Sequence, residues 1–281
     1  MARTDTRSVQ LLPKTIIMKK IVFTLLTFFF TCNLSSAYGT EIQLPKPAPH
    51  QIKWHEAELG VVFHYDLHVF DGQVYGQGNN RINPIEDYNI FHPDKLDTDQ
   101  WIQAAKAAGA KFAILTATHE TGFGLWQSDV NPYCLKAVKW RDGEGDIVRD
   151  FVNSCRKYGL QPGIYIGIRW NSLLGIHNFK AEGEGEFARN RQAWYKRLCE
   201  KMVTELCTRY GDLFMIWFDG GADDPQGLGP NVEPIVNQYQ PTACSTQCQP
   251  GRPALGRIRK RNRRLPLLVE LSLSIQPQQC H

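Results

Sequence analysis

The chain has no C-x-x-C pair, no glycine-rich nucleotide loop after its first apolar run, and no H-E-x-x-H helix. The first absence removes zinc-ribbon and thioredoxin-like chemistry. The second disfavours a nucleotide-binding doubly wound sheet, and the third removes the metalloprotease helix. Cys244 and Cys248 form a lone C-x₃-C with no second pair. Cys199 and Cys207 sit two helical turns apart and are poor disulfide partners. No N-x-S/T sequon follows Ala37. The longest apolar run, Ile21 to Cys32, falls short of the roughly 20 residues that span a bilayer.

Charged residues are also sparse, at 21%, and unevenly placed. Residues 1–37 carry +4 and residues 242–281 carry +6, so with a net charge of +4 the segment 38–241 carries −6. The globular part is mildly acidic, and a polyanion-binding reading rests on the two ends alone. The basic run from Arg252 to Arg264 has no aromatic interleaving, so no nucleic-acid partner is expected. The N-terminus reads as a secretory signal: Met18-Lys19-Lys20, the apolar run, then Ser35-Ser36-Ala37 for cleavage after Ala37. It implies a secreted, extracellular or apoplastic protein without a membrane span. Residues 1–17 are polar and read as an extension ahead of Met18.

Four short apolar runs suit parallel strands covered on both faces: 59–64, 111–116, 163–168 and 213–218. Helical patterns fill the gaps. Residues 97–108 open on Asp-Thr-Asp and stop at Gly109. Residues 146–158 place Ile147, Phe151, Cys155 and Tyr158 on one face and stop at Gly159. Residues 187–210 form a long helix with apolar Trp194, Leu198, Met202 and Leu206, and Glu233 to Tyr239 begins another. The alternation predicts an α/β fold. Because His64, His119, Trp170 and Asp219 fall at or just past strand C-termini, a (β/α)₈ TIM-type barrel is favoured, with only about the first four β/α units present.

The chemistry-bearing residues sit at those strand ends. Asp219 follows the apolar Met215-Ile216-Trp217-Phe218 and precedes Gly220-Gly221, which allow a tight turn. A carboxylate so placed suits a glycosidic nucleophile, a metal ligand or a turn cap. His64 ends the first strand, facing the mouth or satisfied locally. Thr116 to Trp126 combines His119, Glu120, Phe123 and Trp126 around small residues, a mixture that suits sugar binding. Trp170 repeats the theme. Trp140 can line a cleft or pack, and Trp54 is read as packing. His64, His119, Glu120 and Asp219 carry no metal-site spacing, so neither a metal nor a cofactor is expected.

These segments resemble glycoside hydrolase family 29, the α-L-fucosidases. Phe63-His64 resembles the family's F-x-H. Thr116-Ala117-Thr118-His119-Glu120-Thr121-Gly122-Phe123-Gly124-Leu125-Trp126 resembles T-A-K-H-H-D-G-F-x-L-W. Trp140 to Val148 resembles W-x-D-G-x-G-D-V-V, and Trp217-Phe218-Asp219-Gly220 resembles W-x-D-G. The likeness runs over about 54–241 and is nearest the secreted plant branch acting on α-1,3/1,4-linked fucose. It implies a retaining mechanism with Asp219 as nucleophile, with His64, His119 and Trp126 contacting fucose. The substrate it implies is a fucosylated oligosaccharide or glycoprotein glycan. Glu120 departs from the family's second histidine, and as a carboxylate it still accepts bonds from sugar hydroxyls. The acid/base glutamate belongs to a later R-W-x-G-x-E-x-G segment that is absent here.

Composition changes after Pro241 to Arg/Pro/Gln/Ser-rich text without a helix or strand period. The expected layout is an extension and signal over 1–37, the N-terminal half of the catalytic barrel over 38–241, and a non-homologous tail over 242–281. Back-translated and shifted by one base, residues 256–270 can spell G-N-G-T-V-G-Y-P-C-W-S-S, which resembles the family segment just past the acid/base. The tail is therefore expected to be out of frame and the chain inactive, the alternative being a catalytically dead fucose-binding or non-folding fragment.

Overall fold

A computed structural model describes residues 46–245 and the backbone of 267–272. The signal-like segment and most of the tail lie outside the described residues. Of the chain's two compact units, Met1–Lys46 and Pro47–His281, the description concerns the second.

Helix α1 (Pro49–Glu56) leads into β1 (Leu59–His64). A long connection holding the short α2 (Gln77–Asn80) reaches α3 (Thr98–Ala107) and β2 (Phe112–Thr118). Then come α4 (Ile147–Tyr158), β3 (Gln161–Ile166), and a small antiparallel pair, β4 (Ile176–His177) with β5 (Lys180–Ala181). The 25-residue α5 (Gly185–Arg209), β6 (Met215–Trp217), α6 (Glu233–Tyr239), β7 (Cys244–Ser245) and β8 (Leu267–Ser272) complete the order. The expected helix starts are confirmed by their caps. Asp97 accepts from the Gln100 amide at 3.0 Å, and Asp146 accepts from the Arg149 amide at 2.8 Å.

The strands form one six-stranded parallel sheet in the order β7-β6-β3-β2-β1-β8. From β1 to β7 each main-sheet strand adds beside its predecessor, and β8 then returns to the other edge, beside β1. Alternate residues face two different cores. Val61, Phe63, Ala113, Leu115, Ala117, Ile164, Ile166 and Ile216 belong to a large cluster with buried residues of α3, α4 and α5. Val62, Phe112, Ile114, Tyr165 and Met215 belong to a smaller one on the other face, joined by Trp54 of α1, whose indole N–H reaches Met215 Sδ at 3.3 Å.

Two expectations change. Trp194 is 40% exposed, while Leu198, Met202 and Leu206 of the expected stripe are buried, joined by Tyr195 and Cys199. Strand structure also continues past Pro241. Cys244–Ser245 pairs with β6, and Leu267–Ser272 pairs with β1 over its whole length, Leu59↔Leu267 to His64↔Ser272. A six-residue, mostly apolar run following Pro266 is easily hidden when the basic text around it is averaged in.

Candidate active site at the strand ends

On the sheet face that carries the smaller core, the C-terminal ends of β1, β2, β3 and β6 place four rings in a row. His64 and His119 lie with ring centroids 4.3 Å apart, His119 and Tyr165 5.6 Å, and Tyr165 and Trp217 5.8 Å. This follows from the parallel register, in which Phe63 pairs with Leu115, Leu115 with Ile164 and Ile164 with Ile216, so that successive strand ends stand side by side. Asp219 lies two residues beyond Trp217. Gly220 and Gly221 follow it at φ 70° and 86°, the left-handed turn expected of that pair. The Asp219 side chain is exposed, and the Tyr165 hydroxyl approaches its Oδ2 at 3.5 Å. Burial raises the Tyr165 pKa, and the Asp219 and Glu120 carboxylates push it further up. The phenol therefore stays protonated and can donate.

The other end of the row is more enclosed. His119 is 6% exposed, and burial holds its pKa well below the usual imidazole value, with His64, His68 and Arg81 acting the same way. Asp66 is 3% exposed. Its Oδ1 accepts from the Leu67 amide at 2.7 Å and from the Thr121 hydroxyl at 2.8 Å. Burial raises its pKa against the opposing pull of His68 and His64. Glu120 is also buried, and Arg81 Nε donates to its Oε1 at 2.7 Å. Burial raises the Glu120 pKa and the Arg81 contact opposes this. The Arg81 guanidinium in turn lies 4.3 Å from the centroid of the half-buried Trp170 ring, so Glu120, Arg81 and Trp170 form one wall.

His64, His119, Glu120, Trp170 and Asp219 thus all occupy the strand-end face. Trp126 does not fit the substrate-contact expectation. It is fully buried, its indole N–H donating to Glu205 of α5 at 2.9 Å. Phe123 is likewise buried, packed on Phe91 and Tyr133. The aromatics of this segment are core because the chain turns back under the helices at once: the Leu125 amide bonds the Ala117 carbonyl at 2.9 Å. Trp54 packs as expected, and Trp140 packs against Phe91 with centroids 6.0 Å apart. Asp66, Arg81, Tyr165 and Trp217 are site residues that the sequence reading passed over. Alternation could not have flagged Tyr165 or Trp217, because their strands are covered on both faces. Nothing local marks Arg81, 39 residues from its partner Glu120. The metal-capable group among the described residues is His64, Asp66 and His119, without Glu120 or Asp219.

A family model described as Alpha-L-fucosidase matches residues 31–251, reaching beyond Pro241. The chain is 29% identical over 204 residues to Alpha-L-fucosidase 1 of Arabidopsis thaliana, covering 71% of this chain and 37% of that one. It is 87% identical to a crystallised protein of Bacteroides thetaiotaomicron VPI-5482 assigned as an α-L-fucosidase, with TM-score 0.70 over 72% of this chain and 46% of that one. A bacterial fucosidase crystallised with a monovalent iminocyclitol inhibitor shares the fold at TM-score 0.59 and 20% identity, over 74% of this chain and 50% of that one. The chain spans half or less of the length of each of these relatives. On the family match and the 87% identity together, the chain belongs to the α-L-fucosidases of glycoside hydrolase family 29.

Proposed function

We propose that residues 38–241 are the N-terminal part of a (β/α)₈ catalytic domain that releases terminal α-L-fucose from glycans with retention, and that Asp219 is its nucleophile. The observation carrying this is Asp219 itself, an exposed carboxylate at the end of β6, beside the Tyr165 hydroxyl and a row of rings. In a retaining glycosidase the carboxylate oxygen attacks the anomeric carbon as the bond to the leaving oxygen breaks. A second carboxyl roughly 5 Å away protonates that oxygen and then takes a proton from water. Tyr165 holds the nucleophile in place and donates toward it. His64, His119 and Glu120 provide polar contacts for hydroxyls, and Trp170 provides a flat face. The sequential strand order from β1 to β7, with β8 returning to the free edge of β1, supports barrel winding. The acid/base glutamate is taken to lie outside this chain, which leaves the 281 residues inactive. Secretion rests on the Met18 to Ala37 signal pattern. The α-1,3/1,4-linkage preference rests on the likeness to plant members.

The test is a chimera that continues after Pro241 into the C-terminal part of the Bacteroides thetaiotaomicron relative. It should hydrolyse an aryl α-L-fucoside while the 281-residue chain does not. Asp219→Gly in the chimera should lower kcat by about three or more orders of magnitude, with partial rescue by azide. Near-wild-type turnover by that variant would remove Asp219 from the role.

A further inference from the structure

We propose that Arg169 is a positioning residue for the nucleophile, its guanidinium clamping the Asp219-Gly220 turn to the β4–β5 hairpin so that the carboxylate keeps its line of attack. The proposal rests on the reading of Asp219 as nucleophile. Asp219 and Gly220 are the central residues of a tight turn, closed by the Gly221 amide on the Phe218 carbonyl at 3.0 Å. Both are exposed, and Gly220 and Gly221 lie at φ 70° and 86°. Glycine backbone has several conformations open to it, so such a turn needs a hold from outside. The Tyr165 hydroxyl reaches the carboxylate at 3.5 Å, a long contact. Arg169, in the segment leaving β3, supplies the hold on the backbone. Its Nη1 donates to the Gly220 carbonyl at 3.3 Å. The side chain also covers the glycine: a Cβ on Gly220 would lie 2.0 Å from Arg169 Nη1 and 3.0 Å from its Cδ.

The rest of the guanidinium is anchored on the hairpin. Nε donates to Asn178 Oδ1 at 3.0 Å, and Nη2 donates to the same oxygen. The Arg169 carbonyl accepts from the Phe179 amide at 2.9 Å, and the guanidinium lies 5.4 Å from the Phe179 ring centroid. Asn178 and Phe179 form the hairpin's two-residue turn, at φ 50° and 71°. Asparagine suits the first place in such a turn, but the second favours glycine. A buried phenylalanine there is strained, and strain persists where the surroundings over-determine it. Here they do so through α5. Gln192 Nε2 donates to the Phe179 carbonyl at 2.7 Å and to the Leu228 carbonyl at 2.9 Å, and its Oε1 accepts from the Ala181 amide at 2.7 Å. The hairpin is thus fixed to a 25-residue helix, and Arg169 carries that rigidity to the turn. A planar fork can hold two partners on different edges, which the single ammonium of a lysine does not reproduce.

Kinetics of the chimera test the clamp. Arg169→Met and Arg169→Lys should each lower kcat for an aryl α-L-fucoside at least about tenfold with KM within about twofold, since a misplacement of about 1 Å costs about 100-fold. Asn178→Gly keeps the left-handed turn, removes the acceptor and should lower kcat in the same direction. It gives the reading if circular dichroism shows Arg169→Met unfolded. Azide separates positioning from other roles. In Asp219→Gly the azide attacks without using the turn, so adding Arg169→Met should leave the azide-supported rate within about twofold. In the 281-residue chain, the Arg169 Nε–H resonance should be protected from solvent exchange and lose that protection in Asn178→Gly. Unchanged kcat in both Arg169→Met and Asn178→Gly, a raised KM with kcat kept, an equal loss of the azide-supported rate, or an unprotected Nε–H in the wild-type chain overturns the proposal and leaves Asp219 in its role. Turnover retained by Asp219→Gly overturns the nucleophile reading, and the proposal with it.

Discussion

Glu205, in the last third of α5, accepts from the Trp126 indole at 2.9 Å, the Ser128 hydroxyl at 2.7 Å and the Asp129 amide at 2.8 Å. Removing one neutral donor to a charged, buried acceptor costs about 1.5–3 kcal/mol. Trp126→Phe should therefore lower stability by about that much, read as a urea midpoint, with the KM of the chimera for an aryl fucoside unchanged. A raised KM with unchanged stability would restore Trp126 to the sugar site. A second residue-scale test concerns Asp146, whose Oδ1 caps α4 while Oδ2 accepts from the Tyr210 hydroxyl at 2.9 Å. Burial raises its pKa above the ordinary 3.8, more than the Arg149 and Tyr210 bonds lower it. A carboxyl raised on folding contributes stability that is complete below its unfolded value and is lost as pH rises through the folded one. Asparagine keeps the capping oxygen without the charge. Asp146→Asn should therefore gain on wild type as pH rises from about 4 to 7, measured by denaturant midpoints; a gain only on acidification would reverse the assignment.

At the scale of elements, α3 to α6 were legible because their signals are local, whereas α1, which buries Trp54 alone, and the four-residue α2 were not read. An Asp opens α3 and α4 with a real side-chain cap, and Gly159 closes α4 in the left-handed conformation. Strands were legible as buried runs, though β6 shrank from six residues to Met215–Trp217. Which way each residue faced was not legible, because a strand covered on both faces shows no alternation. Tyr165 and Ile164 look alike in Gly163 to Ile168 yet serve opposite cores. For the same reason Asp219 and His64 could be assigned from strand ends while Tyr165 could not. The junction of β2 and β3 makes a further prediction. The Gly167 amide bonds the Thr118 carbonyl at 2.9 Å, and a Cβ there would lie 2.9 Å from His119 Cα and 3.0 Å from Thr118 O. Both contacts are backbone, so neither can rotate away. Gly167→Ala should displace His119, costing about 1–3 kcal/mol of stability and lowering kcat/KM of the chimera by at least about tenfold. Unchanged kinetics would mean that the position of His119 does not matter.

For the whole molecule, β8 bears on solubility. Without residues after Ser245, β1 loses its pairing partner from Leu59 to His64 and presents a free parallel edge of mostly buried apolar residues. Such edges recruit other chains. The chain cut after Ser245 should aggregate at lower concentration than the 281-residue chain in light scattering; equal behaviour would show that the pairing is dispensable. The Glu205 clamp has a different consequence, one of timing. Its three partners in the loop precede it by 76 to 79 residues, so the loop behind His119 cannot be secured until α5 has been made and docked. Closing a contact of that span is slow compared with helix formation. At synthesis rates of about 5–20 residues per second, the strand-end face spends several seconds outside the ribosome half-assembled. A chaperone that shields nascent chains has its window there, and synonymous codons that slow translation between Asn131 and Glu205 should lower the soluble yield without altering a single contact in the finished protein.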